Sequence, residues 1–350
     1  MNDSGSGATS DRGWQSPSPL AGVIFLSRTI LVTGAAGFIG SHVAEALLGR
    51  GDRVVGVDNL DLYYAADRKR ANLAEVMQSL AETARFVFIE ADVRDRTRLL
   101  EIFERHPIEA IVHLAARAGV RASIEQPHLY YDVNLIGTLN LLDAARRNNT
   151  GNFVFASTSS VYGNTKQIPF IETDICDRPL APYAGSKRAA EQLGFTFHHL
   201  HGVNFTALRF FTVYGPRNRP DMMAFKVADS IFFNREVPLY NSGQVRRDWT
   251  FVGDIVAGVL AAVDRPLGYE VINLGRGEPI LLSDFVHLIE DQAGRKAHLV
   301  PAPIPDTDMV ATCANINKAR RLLGYQPKTS VPAGVAAFWQ WYERTVLASG

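Results

Sequence analysis

A short β-branched and aliphatic run, Thr29 to Val32, opens directly into Gly34-Ala35-Ala36-Gly37-Phe38-Ile39-Gly40, and few folds use three glycines in that place. A helical stretch, Ser41 to Arg50, follows and is stopped by Gly51-Asp52. Arg53 to Val57 then reads as a second strand that ends at Asp58. Strand, glycine turn, helix, strand and acid make up the dinucleotide-binding unit. Gly34 permits the tight turn, Gly37 lets backbone approach a pyrophosphate, and Gly40 allows close helix–strand packing. The helix N-terminus offers amides and partial positive charge to the phosphates. Asp58 stands 24 residues after Gly34, where a carboxylate receives the adenosine ribose hydroxyls. Asn59 and Leu60 come next, with no arginine to accept a 2′-phosphate, which favours NAD over NADP. Arg68, Lys69 and Arg70 come too late for that task and read as a solvated helix face.

The alternation continues. Strands are expected at Phe86 to Ile89, leading to Asp92-Val93, and at Ala110 to Leu114, ending in Ala115-Ala116. A long helix, about Tyr130 to Arg147, precedes a strand at Phe153 to Ala156. A helix from Tyr183 to His201 precedes one at Asn204 to Phe210. Near-continuous apolar strands alternating with helices imply an α/β, doubly wound parallel sheet of Rossmann type. Ligand then lies beyond the carboxyl ends of the strands, where Asp58, Asp92, Ala115, Thr158 and the Tyr183 helix entrance all map.

From about Val213 the alternation loosens and prolines multiply, as expected of a smaller, mixed α/β C-terminal substrate lobe with a late helix near Val331 to Thr345. The expected division is a disordered leader at 1–27, a dinucleotide-binding domain at 28–212 and the lobe at 213–350. Part of 240–285 is expected to return to the first domain through a strand at Val271 to Gly275. Met1 to Pro19 is rich in Ser, Gly, Asp and Pro, and the apolar run Leu20 to Leu26 is too short to span a bilayer. Acids and bases balance at 36 each, so no global field argues for nucleic acid or an anionic membrane. Cys176 and Cys313 have no CxxC or CxxH context, which argues against a disulfide framework or metal site and for a reducing, cytoplasmic setting.

Tyr183 and Lys187 stand four residues apart, on one face of a helix. There the ammonium is expected to lower the phenol's pKa toward a useful range for a base.

With these motifs in order, residues 28–345 resemble the extended short-chain dehydrogenase/reductases, and more narrowly the NAD-dependent nucleotide-sugar 4-epimerases. The supporting strings are His113-Leu114-Ala115-Ala116, Thr158-Ser159-Ser160-Val161-Tyr162-Gly163, Arg209-Phe210-Phe211-Thr212-Val213-Tyr214-Gly215-Pro216 and Arg247-Asp248-Trp249-Thr250-Phe251-Val252-Gly253-Asp254. The resemblance implies Tyr183 as acid/base and Lys187 as holder of the nicotinamide ribose. Thr158 then bonds the sugar O4, with Ser159 and Ser160 beside it. Asp92 and Val93 frame the adenine, while Phe38, Ile39, Asn59, Leu114, Ala115 and Ala116 complete the NAD contacts. Asn134 is implied as active-site scaffolding, and Arg247 as the diphosphate arginine of a UDP-sugar. A homodimer pairing the 130–147 and 183–201 helices is also implied.

Related enzymes share the first oxidation and then diverge. A dehydratase of the family carries Asp-Glu after the threonine, where this chain has Ser159-Ser160. A uronate decarboxylase typically carries Glu where Ser160 stands, and Asp where Ala184 follows the tyrosine. Both absences favour simple epimerisation. The segment Thr212 to Met222, with Ala118-Gly119-Val120-Arg121 upstream, resembles the uronate 4-epimerases. A substrate carboxylate calls for a guanidinium. Arg219, or Arg217 in its place, is therefore expected at the C6 carboxylate with Thr212. UDP-glucose or UDP-N-acetylglucosamine epimerisation, uronate decarboxylation and a non-catalytic NAD-binding regulator remain as alternatives.

Overall fold

The computed structural model describes residues 27–79 and 83–347; of the expected leader, 1–26 lie outside these residues. Seven parallel strands form the main sheet. They are β1 (Thr29–Thr33), β2 (Arg53–Asp58), β3 (Phe86–Glu90), β4 (Ala110–His113), β5 (Asn152–Thr158), β6 (Phe205–Phe210) and, far later, Tyr269–Leu274. Short strands intervene before that last one: β7 (Thr212–Tyr214), β8 (Val237–Tyr240), β9 (Arg246–Arg247) and β10 (Trp249–Phe251), which makes it β11. The spatial order is β11-β6-β5-β4-β1-β2-β3. The strand at the end of the expected 240–285 return therefore pairs with β6 along the sheet edge.

The period-2 alternation of strands explains how this sheet is buried on both faces. In β1, Ile30 and Val32 join the larger core with Val43, Leu47, Ile255 and Val259, from helices Phe38–Gly49 and Val252–Val263. Leu31, between them, joins a second core with Leu99, Leu142 and Phe205 on the opposite face. The larger core continues without a break to Phe225, Phe285 and Phe338 of the C-terminal part. That part adds β12 (Ile280–Leu281) paired with β9, and β13 (Leu299–Ala302) paired with β8, while β7 pairs with β10.

The long helix expected over 130–147 is interrupted. It runs as Pro127–Tyr131, a π-helical turn Asp132–Ile136 and Gly137–Arg147. At its middle a Cβ on Gly137 would come 2.6 Å from Val93 Cγ2, so the helix lies directly on the loop after β3. Strand order reverses between β1 and β4, and the crevice beyond their carboxyl ends is the place where this architecture binds ligand.

Candidate active site

A cavity of about 400 Å³ opens at that crevice. Its floor is the glycine turn. Gly34 has φ +72°, and a Cβ there would meet Ala115 N at 2.7 Å; one at Gly40 would stand 1.9 Å from Gly34 O. Only bare backbone fits at those two positions, and the start of helix Phe38–Gly49 borders the cavity, where its free amides would favour an anion. Gly34, Gly37, Phe38, Ile39, Gly40, Asp58, Asn59, Asp92, Val93, Leu114, Ala115 and Ala116, the residues expected to contact NAD, all line the cavity.

Asp58, expected to meet the ribose, is held by backbone on both oxygens: Ala36 N donates to Oδ2 at 3.2 Å and Leu60 N to Oδ1 at 2.8 Å. Lys69 is not on a solvated face. It is buried and its Nζ lies 3.4 Å from Asp58 Oδ1, so helix Ala66–Gln78 turns this residue inward while Arg70 stays outside with Asp67. Asp92 receives Asn59 Nδ2 at 2.9 Å and three bonds from Arg94, one from its backbone N–H and two from its guanidinium. Burial works to raise its pKa, but these bonds outweigh it and hold the group at about 2. The donor set suits NAD: a carboxylate for the ribose, an apolar slot at Val93 and glycine backbone for the pyrophosphate.

Thr158, at the end of β5, and Tyr183, at the start of helix Pro182–His201, meet on the far wall with Lys187. Thr158 Oγ1 accepts from Ser160 N at 3.2 Å and lies 3.2 Å from Ser160 Oγ. The phenol's pKa is raised, not lowered as expected from Lys187. Burial is the main cause; a hydrogen bond with Thr158 and the charge of Arg219 pull the other way. Lys187 turns its Nζ to Ala156 O, 2.8 Å away, and over the Phe155 ring at 4.6 Å. Burial pushes its own pKa down to about 7, with Glu191 opposing. Tyr130 packs edge-on against Tyr183, with ring centroids 6.2 Å apart.

The four arginines separate sharply. Arg219 lines the cavity with Thr212. Arg217 does not: its positive φ of 61° turns the side chain back over the cofactor half, to Glu45 at 2.9 Å and Glu75 at 2.8 Å. So placed, Arg217 does not reach the cavity that Arg219 lines. Arg121 and Arg247 lie outside the cavity lining and converge on Asp308, at 3.1 and 3.9 Å. Arg121 also lies over the Tyr240 ring at 4.4 Å and bonds its hydroxyl.

Asn134 does not line the cavity either. Fully buried in the π-helical turn, it accepts from Arg117 N at 2.8 Å and donates to Arg117 O and Ser186 Oγ. It therefore braces the loop after β4 from behind the cavity wall.

Three groups were missed by sequence reasoning. His113 bridges Thr33 Oγ1 at 2.7 Å and Thr138 Oγ1 at 3.0 Å, neutral in its buried site. Thr138 gives its own proton to Asn134 O, so it accepts from His113 Nε2. Glu191, one helical turn beyond Lys187, binds Arg209 through both oxygens and accepts from Ser157. Tyr63 donates to Asp221, which in turn holds Arg219. Only Glu191 had a readable signal: an acid in helical register with Tyr183 and Lys187.

The model of the NAD dependent epimerase/dehydratase family matches residues 30–275. A UDP-glucuronate 4-epimerase of Thermodesulfobacterium geofontis is 41% identical over 317 residues, 90% of this chain and 96% of that protein. A UDP-glucuronic acid 4-epimerase from Bacillus cereus, in complex with UDP-glucuronic acid and NAD, shares the fold with TM-score 0.83 at 34% identity, over 90% of this chain and 99% of its own. A UDP-glucose 4-epimerase from Thermotoga maritima, bound to UDP-glucose, reaches TM-score 0.81 at 31% identity, over 91% and 99%. With the family model matched over residues 30–275 and a 41% identical relative aligned over 90% of this chain, the chain belongs to the NAD-dependent epimerase/dehydratase family.

Proposed function

We propose that the chain interconverts UDP-glucuronate and UDP-galacturonate by NAD-dependent epimerisation at C4. The observation that carries this reading is that Arg219 and Thr212, the pair suited to a C6 carboxylate, line the same cavity as Thr158 and Tyr183. Ser159 and Ser160 also line it, where an eliminating or decarboxylating relative would place an acid.

NAD, when bound, supplies the acceptor and then the donor of hydride at C4. Tyr183 acts as the phenolate, the form that Thr158 and the charge of Arg219 favour against burial; its Oη takes the O4 proton and returns it after the 4-keto sugar has turned over. Lys187, held by Ala156 O, orients the nicotinamide ribose. Arg219 and Thr212 hold the carboxylate out of alignment with the C4 ketone, because a 4-ketouronate is a β-keto acid that loses CO₂ when the two align. Arg121 and Arg247, already gathered by Asp308, serve the diphosphate once it displaces that carboxylate. Residues 28–212 hold the cofactor and 213–350 most of the substrate in this reading.

Tyr131, Ile136, Leu139, Phe195 and Leu200 are large apolar side chains exposed on neighbouring helices, and they support pairing with a second copy. No helix among the described residues is long and apolar enough to cross a membrane. The two free, buried cysteines fit a reducing cytoplasm.

The test is incubation of the purified protein with UDP-glucuronate and no added NAD, with products followed by chromatography and NMR. UDP-galacturonate alone supports the reading. UDP-xylose or its 4-keto precursor marks a decarboxylase. A UDP-hexose substrate is the second reading, favoured by the carboxylate of Asp221 already seated on Arg219; turnover of UDP-glucose but not UDP-glucuronate would establish it.

A further inference from the structure

Arg219 reaches the cavity with a carboxylate already attached. Its Nε donates to Asp221 Oδ1 at 2.9 Å and its Nη2 to Oδ2 at 2.8 Å, a parallel pair that uses one edge of the guanidinium. Tyr63 fixes the acid, donating to Oδ2 at 3.1 Å. The Tyr63 ring is itself set between two cations, 5.0 Å from Arg117 and 5.8 Å from Arg219. A guanidinium has five N–H donors. Two go to Asp221, and the edge formed by Nη1 and the remaining Nη2 hydrogen has no partner among the described residues.

Two consequences follow from charge and geometry. Asp221 aims the guanidinium by fixing its plane. It also offsets the charge, so the pair presents directed hydrogen bonds with little net positive field. Epimerisation requires the sugar to show both faces of C4 to one hydride position, and a carboxylate gripped by an unpaired, desolvated cation resists that turn.

We propose that Asp221 is a positioning residue that acts as a built-in rival to the substrate carboxylate. It keeps Arg219 aimed while weakening its hold, so that the uronate is recognised by direction and released for the turn. The inference rests on the uronate reading above.

The test is Asp221→Asn in the NAD-loaded enzyme, with Tyr63→Phe as the milder variant that leaves Asp221 in place. Dissociation constants for UDP-glucuronate and UDP-glucose, which differ at C6, are measured beside kcat and KM for UDP-glucuronate. Removing the rival charge should tighten UDP-glucuronate by about tenfold, the order of one nearby charge–charge interaction, and leave UDP-glucose unchanged. KM and kcat should fall together, the mark of a ground state held too firmly. Tyr63→Phe should move both in the same direction by less. Equal weakening of both sugars, or a raised KM with lowered kcat, would show a merely structural residue and overturn the proposal. Unchanged UDP-glucuronate affinity in both variants overturns it as well. Wild-type turnover of UDP-glucuronate is scored first: its absence overturns the uronate reading and the proposal together, whereas turnover with unaltered variants overturns the proposal alone.

Discussion

Glu191→Gln isolates the electrostatic support beneath the catalytic helix. Glu191 is fully buried; its Oε1 accepts from Arg209 Nε at 2.9 Å and Ser157 Oγ at 2.6 Å, and its Oε2 from Arg209 Nη2 at 2.8 Å and Arg188 at 3.1 Å. Arg209 is 1% exposed, and its Nη1 already lacks a hydrogen-bond partner. Glutamine preserves the volume, keeps one acceptor oxygen and leaves this guanidinium buried without a counter-ion. Removing one member of such a pair costs about 3–5 kcal/mol, and the retained acceptor places this variant near the lower end. Equilibrium denaturation should show a lower midpoint at constant slope. The carboxylate also opposes the burial that depresses Lys187, so the pH above which Lys187 is neutral should move below about 7 in the variant. The double variant Glu191→Leu/Arg209→Met should regain most of the lost stability, because neither charge is then buried alone. A Glu191→Gln stability within about 0.5 kcal/mol of wild type, the usual scale of an inconsequential surface change, would refute the reasoning. A double variant no better than the single would refute it too.

Gly40→Ala places a Cβ 1.9 Å from Gly34 O, so the turn must move and the purified protein should lack the nucleotide that heat releases from wild type. Arg217→Ala should cost about 2 kcal/mol for its two charged hydrogen bonds while leaving the uronate-to-hexose preference intact, read by melting and by paired substrate assays. Lys187 keeps its proton to higher pH when unfolded than when buried, so wild-type stability should rise as pH climbs from about 7 toward the unfolded lysine value, a slope that Lys187→Met should lack.

The cofactor half was legible because its signals are local. A glycine turn, a buried strand and an acid at fixed spacing need no knowledge of distant residues, and the strands from β1 to β6 end within two residues of their expected limits. The arginines were less legible because their partners come from elsewhere in the chain. Arg217 and Arg219 share one short loop, yet a single left-handed residue sends the first to Glu45 and Glu75 and leaves the second at the cavity. Lys69 reads as a surface residue until helix Ala66–Gln78 is docked and Asp58 lies beside it. The sign of the Tyr183 shift was misjudged for a related reason: helical spacing places Lys187 nearby, but its turn to Ala156 O and the burial that raises the phenol's pKa come from the closed fold.

Tyr63 lies in the loop that follows Asp58, yet its hydroxyl ends on the loop that presents Arg219. The passage between them is tight, since a Cβ on Gly119 would stand 2.2 Å from that hydroxyl. Under the proposed function, Tyr63 and Asp221 therefore couple cofactor choice to sugar choice. A loop graft over residues 59–65, designed only to change which dinucleotide is accepted, would also unfasten Asp221 and alter which sugar is kept. An exchange of either loop is expected to keep the contact only when Tyr63, Gly119 and Asp221 travel as a set.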